Sequence, residues 1–554
     1  MLDASAIAAG FGQLAPDQLR AALQNFLPQG SQAERVGAIE AALRSPVGQS
    51  LRDAMARWIV DDIVPVERLV PPAYIKWRPP VRDSMMFVVA RLSPARLAPK
   101  LLEHIELPPN TSPEERLLRL IAKVPGLQKL GQVIARNRHL HPALRKALAR
   151  LENGIHDVSA EDIRAIVKRE LGDRAQKFAV EVSSDILKEA SVSAVIRFTW
   201  FNPETRRRER GVFKVLKPHI PEYFAEDMDY LQGLAQYFGD RHHTYGFAAH
   251  LIPDTFQKVR RLLRHEVNFR REQKTLREAA TLYRSFRNIR VPQVVPLLCT
   301  RTVTAMSEER GIKVTNAAAR LAPVQRRKLA EQMLEALIAV PLLSSAQDAV
   351  FHGDPHAGNL LYDSSSGKLV ILDWALRERL DREQRRHLAL FFLLVSLRDR
   401  LGVAKEILAL TQPAIPAASA QGRLIRRCVG EFLESMPASQ LASSADAMRL
   451  LEHVAIQGIK FPSALVMLSK VMFTLEGILG EMLDTDTAIG FTIARHVATH
   501  WLAHREEFQS PLRRGDWLTL QCSALLLPSR LGIQWQQTML NRWLTTKPAL
   551  AAAT

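Results

Sequence analysis

One hairpin-like segment decides how this sequence is interpreted. It reads VFHGDPHAGNLL at residues 350–361 and KLVILDWA at residues 368–375. Asn359 follows Asp354 by five residues, and an apolar run then leads to Asp373. Carboxylate and amide oxygens are ligands that Mg²⁺ accepts, and a carboxylate can orient the group that attacks a phosphoryl centre. The segment therefore predicts two strands around a loop that carries phosphotransfer chemistry.

The three polar residues of this segment receive separate roles. We assign Asp354 as the base or orienting carboxylate, and Asn359 and Asp373 as Mg²⁺ ligands, because the spacing is typical of kinases. The alternative is an ordinary turn capped by Asp354, but the apolar runs on both sides favour the site. We expect a structural role for His352 beneath the loop, since no third soft metal ligand is nearby. His356 could approach a substrate or a phosphate.

A lysine in a predicted strand forms the second part of the site. Lys214 lies within GVFKVL at residues 211–216, which we interpret as the strand returning from AVIRFTWF at residues 194–201. Such a lysine either extends outward to solvent or binds anions. Facing a nucleotide, it would bind phosphates and pair with a helix glutamate. We select Glu272, on a charged helix predicted from 262 to 282, although surface pairing of this residue is the alternative.

The loop that would cover the phosphates contains no GxGxxG pattern. Residues 189–194 read EASVSA instead, and small side chains also let the backbone approach phosphates closely. A plain small-residue turn is an equally open alternative. The residues assigned to nucleotide binding are Lys214, Ala190, Ser191, Ser193, Met306 and Glu308.

Further motifs resemble those of a known family. These are KLGQ at 129–132 for a KxGQ motif, VFKV at 212–215 for a VAVK strand, EVN at 266–268 with Glu272 for an ExD motif and the glutamate after it, and LSK at 468–470 with TLEG at 474–477 for a signature of the large lobe. Together with the hairpin, they resemble the UbiB/AarF family of atypical kinases over roughly residues 125–486.

The resemblance and the order of predicted elements imply an α+β, two-lobed protein-kinase-like fold with a long N-terminal helical extension and a mostly helical C-terminal lobe. The resemblance implies an ATPase or small-molecule kinase that uses ATP and Mg²⁺, with a small or lipid-like acceptor in coenzyme Q or other isoprenoid-lipid metabolism. In the family the KxGQ helix lies over the active site, and its lysine is held by the ExD glutamate. We therefore assign a regulatory role to Lys129, Gln132 and Glu266, with Lys129 paired to Glu266.

The sequence departs from the family pattern at several positions. Asn268 replaces the aspartate of ExD, and Trp374 and Ala375 replace the last two residues of DFG. Lys188 and Glu189 stand where alanines are usual in the phosphate-covering loop. These differences predict a divergent member whose nucleotide selectivity differs from that of its relatives.

Composition limits the possible partners and location. The net charge of +18 suits anionic partners such as nucleotides or an anionic membrane surface, although solvated helix faces also explain the basic runs. No nucleic-acid-binding motif is recognisable, so nucleic acid is not an expected partner. The three cysteines, far apart in sequence, exclude a disulfide scaffold and fit a reducing compartment. The start has no secretory signal pattern, and the apolar runs, such as 388–397, are shorter than a membrane span. We expect a cytoplasmic protein with peripheral contact to an anionic membrane, and a homodimer is one arrangement to test.

Five segments describe the predicted organisation. They are an N-terminal helical region at 1–110, a helical extension with the KxGQ motif at 111–175, a kinase-like N-lobe at 176–310, a kinase-like C-lobe at 311–510 and a helical tail at 511–554.

Two other functions stay open from the sequence. A nucleotide-binding scaffold without catalysis is favoured by Asn268 and Trp374, but opposed by the complete set of predicted catalytic and metal-binding residues. An aminoglycoside-phosphotransferase-like enzyme would also carry the HGDPHAGN pattern at 352–359. The KxGQ motif and the N-terminal extension make this second alternative less suitable.

Overall fold

A computed structural model of the chain divides it into two compact units. The structure describes residues 21–129 without 22, 23, 26, 47 and 71, then 158–246, 251–437 without 345, 444–483 and 511–551. The first unit comprises Met1–Phe269 and Val295–Met306, and the second comprises Arg270–Val294 and Ser307–Thr554. The division into five segments stays a prediction.

The first unit begins with helices. They are α1 Gln32–Arg44, α2 Gly48–Arg57, α3 Val66–Leu69, α4 Arg78–Arg91, α5 Pro94–Glu106, α6 Pro113–Ile121, α7 Ala160–Leu171 and α8 Asp173–Lys177. The sequence SAED at 159–162 predicts the start of a helix that Gly172 can end. Helix α7 confirms this, because Ser159 and Asp162 form a reciprocal capping box that satisfies two backbone N–H groups. Gly172, with a φ of +53°, follows the last residue of the helix.

A four-stranded sheet follows these helices in the first unit. Its strands are β1 Glu181–Glu189, β2 Ser193–Asn202, β3 Arg207–Leu216 and β5 Val303–Ser307, in the order β1-β2-β3-β5. The β1–β2 and β2–β3 pairs are antiparallel. The predicted hairpin is confirmed, with Val195 opposite Lys214. Gly211 lies under the Phe198 ring, where an added Cβ would approach a ring carbon to 2.5 Å, so a larger residue would displace the aromatic core.

The charged helix predicted from 262 to 282 is two helices. Helices α9 His219–Asp240, α10 His242–Tyr245 and α11 Leu251–Glu266 are followed by α12 Phe269–Leu282. The break at 267–268 contains Asn268, and an asparagine side chain competes with helical hydrogen bonding. Phe269 is 1% exposed and packs in the apolar core of the first unit. The prediction of one continuous helix was therefore wrong.

The second unit contains short strands among helices. Its elements are β4 Ile289–Arg290, β6 Ile312–Lys313, α13 Val314–Ala318, α14 Pro323–Leu334, α15 Val340–Leu343, β7 Asp348–His352, β8 Leu360–Asp363, β9 Lys368–Ile371, β10 Arg377–Asp381, α16 Arg382–Ser396, α17 Arg400–Leu410, α18 Ala420–Ser435, α19 Ser444–Ile456, α20 Ser463–Met482 and α21 Arg514–Ala551. Strands β7 and β10 pair with each other, and another sheet has the order β4-β9-β8-β6. The loops after β7 and β9 carry the predicted catalytic segment.

One helix in the described part of the chain has the length and composition of a membrane span. Helix α20 has 20 residues and a mean hydropathy of 1.4, and 44% of the apolar stretch is buried inside the structure. It is not an uninterrupted apolar run, because Lys470 and Glu476 lie within it. This is weak evidence for a membrane span, since buried core helices have the same composition. Leu468, Val471 and Leu475 are each less than 5% exposed.

Candidate active site

The loop after β7 fixes the backbone of Asp354. The Asp354 N–H donates to Nδ1 of His352 at 3.1 Å, and the Asp354 carbonyl accepts from Nδ2 of Asn359 at 3.2 Å. The Gly353 N–H donates to the carbonyl of Leu376 at 2.9 Å, in the turn before β10. A Cβ at Gly353 would lie 3.1 Å from that carbonyl oxygen, so the close approach favours glycine. These bonds fix the backbone of the loop on both sides of Asp354.

Asp373 is held next to this loop by the end of β9. The Leu372 N–H donates to the Asn359 carbonyl at 2.8 Å, which links the two loops. Asp373 has a φ of +56°, a left-handed conformation that is uncommon outside glycine and is frequent at functional sites. Oδ1 of Asp373 accepts from the Ala375 N–H at 3.4 Å, which supports the turn.

His352 has a structural role, as expected. It is 1% exposed, and its Nε2 lies 2.9 Å from the Leu372 carbonyl. Because Nδ1 accepts from Asp354, Nε2 carries the proton and donates to Leu372. Burial lowers the pKa of His352 below its ordinary value, although the Leu372 carbonyl and the carboxylates of Asp373 and Asp354 act in the opposite direction. The carboxylates of Asp354 and Asp373 therefore both act to raise the pKa of this one imidazole.

Two further side chains complete the local structure. The indole of Trp374 is 0% exposed and donates from Nε1 to the Ile371 carbonyl at 3.2 Å. Its ring meets His352 edge to face at a centroid distance of 5.0 Å. His356 accepts from the Gly358 N–H at Nδ1, 3.1 Å away, and so caps the short turn before Asn359. The aromatic that replaces the phenylalanine of DFG is thus a buried packing residue.

A lysine that was not assigned to the site contacts the predicted base. Nζ of Lys470, on α20, lies 2.9 Å from Oδ1 of Asp354. The two side chains are 36% and 19% exposed, respectively. In the sequence, Lys470 belongs to the LSK part of the family signature, which assigns it no role. The available signal was a single charge within 463–475, an otherwise uncharged stretch.

The predicted nucleotide lysine lies in the first unit. Lys214 is 8% exposed in β3, and its Nζ lies 5.7 Å from the centroid of the Phe269 ring, within cation–π range. Glu272 is 1% exposed in the first turn of α12 and belongs to the second unit. The pairing of Lys214 with Glu272 stays a prediction.

The small-residue loop is a tight turn between β1 and β2. The Ala190 N–H donates to the Ser193 carbonyl at 2.8 Å. Glu189 turns inward and forms an ion pair of 3.0 Å with Lys217, with side-chain exposures of 2% and 1%. Ser193 is 2% exposed and Ser191 is 7% exposed. The Glu189 carboxylate therefore has a structural partner within the first unit, and the difference in nucleotide selectivity assigned to it stays a prediction.

Two assigned residues lie at the end of β5. Met306 is 9% exposed within this strand, and Glu308 is half-buried just beyond it. The first belongs to the first unit and the second to the second unit. Their contact with a nucleotide stays a prediction.

The predicted regulatory ion pair is present in the first unit. Lys129 contacts Oε1 of Glu266, the last residue of α11, with side-chain exposures of 14% and 18%. Oγ of Ser191 lies 3.5 Å from the other carboxylate oxygen, so Glu266 connects the KxGQ lysine with the small-residue turn. Gln132 lies outside the described residues. The structure thus supplies the contact, while its regulatory effect stays a prediction.

Comparisons relate the chain to known proteins. Residues 150–407 match the ABC1 atypical kinase-like domain. A probable protein kinase UbiB of Sodalis glossinidius is 25% identical over 367 residues, covering 63% of this chain and 63% of that protein. Protein ACTIVITY OF BC1 COMPLEX KINASE 7, chloroplastic, of Arabidopsis thaliana is 26% identical over 373 residues, covering 65% and 50%, respectively. The chain therefore spans less than two thirds of the length of either relative.

A solved structure is also similar at a lower level. Rv3197 from Mycobacterium tuberculosis, in complex with erythromycin, covers 66% of this chain and 89% of its own, with 16% identity and a TM-score of 0.43. A similarity of this size does not bear on what the chain binds. The domain match and the observed helices and sheets confirm the expected α+β, kinase-like fold.

Proposed function

Because the chain belongs to the UbiB/AarF family of atypical kinases, as a divergent member, we propose that it binds Mg-ATP and hydrolyses it or transfers its γ-phosphate. The acceptor is a small or lipid-like molecule, in isoprenoid-quinone or other lipid metabolism. The observation that supports this proposal best is the meeting of the Asp354, Asn359 and Asp373 loops around the buried His352. A purely structural turn would not need both carboxylates beside one buried imidazole.

The donor set fits a magnesium ion shared with a nucleotide. Nδ2 of Asn359 donates to Asp354, so Oδ1 is the atom of this amide that can bind a cation. Asp373 supplies a carboxylate from a left-handed turn. No group of three His, Cys, Asp or Glu residues that could hold a metal occurs among the described residues. Mg²⁺ is commonly held by one or two protein oxygens together with substrate phosphates, and the Asn359 amide and the Asp373 carboxylate are the two protein oxygens of this proposal.

Within this proposal each side chain of the site has a separate role. Asp354 accepts a hydrogen bond from the attacking hydroxyl or water and orients it toward the γ-phosphorus. Asn359 and Asp373 would hold Mg²⁺, which supplies neutralisation of phosphate charge when bound. Lys214 binds the α- and β-phosphates, and Glu272 orients Lys214. His352 keeps the Asp354 backbone in place through its acceptor nitrogen.

A nucleotide-binding and turnover experiment tests this function. Full-length protein is heated with ATP, ADP or GTP, with and without Mg²⁺, and phosphate release is measured in parallel. We expect Mg-ATP to raise the melting temperature and to be hydrolysed slowly. Asp373→Asn should abolish metal-dependent turnover. The matched control is Asp363→Asn, because Asp363 lies on the same hairpin and its carboxylate is bonded to Ser365 and Ser366.

Two outcomes would count against the enzyme. Equal turnover in wild type and Asp373→Asn would show that the activity does not come from this site. Binding of Mg-ATP without turnover, with every acceptor and lipid tried, would favour the nucleotide-binding scaffold. The observations that favour the scaffold are Asn268 and Trp374, which depart from the family pattern.

Peripheral binding to an anionic membrane is part of the proposal. Its support is the net charge of +18 together with the lipid-like acceptor. Flotation with vesicles of phosphatidylcholine, alone or with phosphatidylglycerol, tests it. We expect recovery with the anionic vesicles that decreases as salt increases. Equal recovery with both vesicle types would show that membrane binding has no electrostatic component. Sedimentation of the protein without vesicles would test a homodimer.

A further inference from the structure

We propose that Lys470 is the lysine that binds the terminal phosphate of the nucleotide, and that its contact with Asp354 holds it at that position. This inference rests on the proposed function, because it places a γ-phosphate beside Asp354. It adds a cation from α20 to the side chains described above, none of which brings positive charge to Asp354 from within the second unit.

The position of Lys470 carries the inference. Its Nζ lies 2.9 Å from Oδ1 of Asp354, across 116 residues of sequence. The carboxylate that orients the attacking oxygen lies within hydrogen-bond distance of that oxygen. The attacking oxygen itself approaches the phosphorus atom to about 3–3.5 Å. An ammonium that already contacts the same carboxylate is therefore within reach of the phosphate oxygens. Because an ammonium has three N–H donors, Lys470 can contact Asp354 and a phosphate at the same time.

The balance of charge at the site also supports a phosphate-binding role for Lys470. His352 accepts from the Asp354 N–H at Nδ1 and bonds the carbonyl of Leu372, the residue before Asp373, at Nε2, so the two acidic residues lie in one small region. A triphosphate entering this region brings further negative charge, which repels both carboxylates. Lys470 offsets part of this repulsion from a fixed helix. A lysine also serves as a point charge that phosphate accepts from several directions.

Folding gives a weaker reason for a lysine at this position. The side chains of the pair are 36% and 19% exposed, and ion pairs of this exposure contribute little to the free energy of unfolding. The flanking positions Leu468 and Val471 are 4% and 0% exposed, so α20 is anchored by apolar packing. The lysine thus sits at the edge of a packed helix, where solvent and ligands reach it.

The test compares two nucleotides that differ at the γ-phosphate. Dissociation constants of full-length protein are measured with Mg²⁺ for ADP and for the β,γ-imido analogue of ATP, which is not hydrolysed. We expect Lys470→Met to weaken binding of the analogue about 10- to 100-fold, the range for a hydrogen bond to a charged group. Binding of ADP should change less than about twofold. Lys470→Arg, which keeps the charge, should retain most of the preference for the analogue.

Controls separate this role from folding and from the proposed function. Lys460→Met removes an exposed lysine just before α20 and should change neither constant. Melting temperatures of all variants establish whether they fold. If Lys470→Met does not fold, the comparison of the two nucleotides is made with Lys470→Arg. An unchanged ratio of the two constants in Lys470→Met would overturn the role of Lys470 alone. Failure of the wild type to bind either nucleotide would overturn the proposed function, and this inference with it.

Discussion

Glu189 and Lys217 form an ion pair of 3.0 Å that is almost completely removed from solvent. The pair joins the end of β1 to the residue after β3, where the Lys217 N–H also donates to the Val192 carbonyl at 3.0 Å. Two groups from different strands are thereby fixed around the small-residue turn. The charge at Glu189, which looked like a departure on a nucleotide-facing loop, belongs to the interior of the first unit.

Removing one member of this pair should destabilise the first unit strongly. Glu189→Ala leaves the Lys217 ammonium buried without its carboxylate, so we expect a loss of about 3–5 kcal/mol in the free energy of unfolding. Denaturant titration of the full chain measures it. The surface pair of Arg208 with Glu181, whose side chains are 46% and 73% exposed, is the control. Glu181→Ala should change stability by less than about 1 kcal/mol, and a similar cost for both variants would contradict the prediction.

The ion pair of Lys129 with Glu266 should couple energetically to the turn at Ser191. Glu266 contacts both residues, so a change at Lys129 alters the position of the carboxylate near Ser191. We expect a double-mutant cycle of Lys129→Met and Ser191→Ala to give a coupling energy of about 0.5–3 kcal/mol in Mg-ATP binding. Exchange of the charges, Lys129→Glu with Glu266→Lys, should recover part of the loss.

Strictly additive effects in that cycle would show that the two contacts are independent. A matched comparison is available in the same unit, because Arg35 pairs with Glu106 in the N-terminal helices. The cycle of Arg35→Met with Ser191→Ala should be additive. Nucleotide affinity is measured by isothermal titration, so the result does not depend on turnover.

The sequence predicted the local elements of the site better than its long-range contacts. The β2–β3 hairpin and the capping box of Ser159 follow from alternation and from short polar signals, and both are present. The hairpin of residues 350–375 carries its information within one short segment, so its residues could be assigned together. The pair of Lys129 and Glu266 is separated by 137 residues and was expected only because of the family resemblance.

Contacts that depend on packing could not be predicted. Lys470 reaches Asp354 across 116 residues, and nothing in the local pattern of α20 indicates the direction of that side chain. Glu189 was interpreted from its neighbours in sequence, whereas its carboxylate is paired with Lys217, the residue after β3. The break before Phe269 depends on the burial of that ring in the first unit. In each case the tertiary structure selected one of several arrangements that the local sequence allows.

Stability should fall as pH decreases below the ordinary pKa of histidine because of His104. The ring is 0% exposed, and burial lowers its pKa, an effect that Lys100 reinforces and that Glu103 and the carbonyls of Lys100 and Arg116 oppose. The unfolded chain therefore binds a proton near pH 6.5 that the folded chain resists. We expect up to about 1.4 kcal/mol of lost stability per pH unit from this residue below that value.

Comparison with His104→Gln isolates this contribution. Both proteins are unfolded by urea between pH 5 and pH 8, and the difference in unfolding free energy is plotted against pH. The difference should be flat above about pH 7 and should decline toward acid pH, since the variant lacks the titrating ring. A difference that is constant across the whole range would mean that His104 is protonated equally in the folded and unfolded chains.

Trp374 should link the packing of the second unit to the geometry of the catalytic loop. Its ring packs against His352, which in turn holds the Asp354 N–H, so a cavity at Trp374 would loosen the support of Asp354. We expect Trp374→Ala to cost about 3–5 kcal/mol in stability and to lower Mg-ATP turnover beyond the fraction unfolded. Trp374→Phe keeps an aromatic ring but loses the hydrogen bond to Ile371 and part of the buried ring volume, so it should retain most turnover at a cost of about 1–3 kcal/mol. Trp535, 57% exposed on α21, is the control, and Trp535→Ala should change stability by less than about 0.5 kcal/mol. Full turnover in folded Trp374→Ala would show that His352 keeps Asp354 in place without the indole.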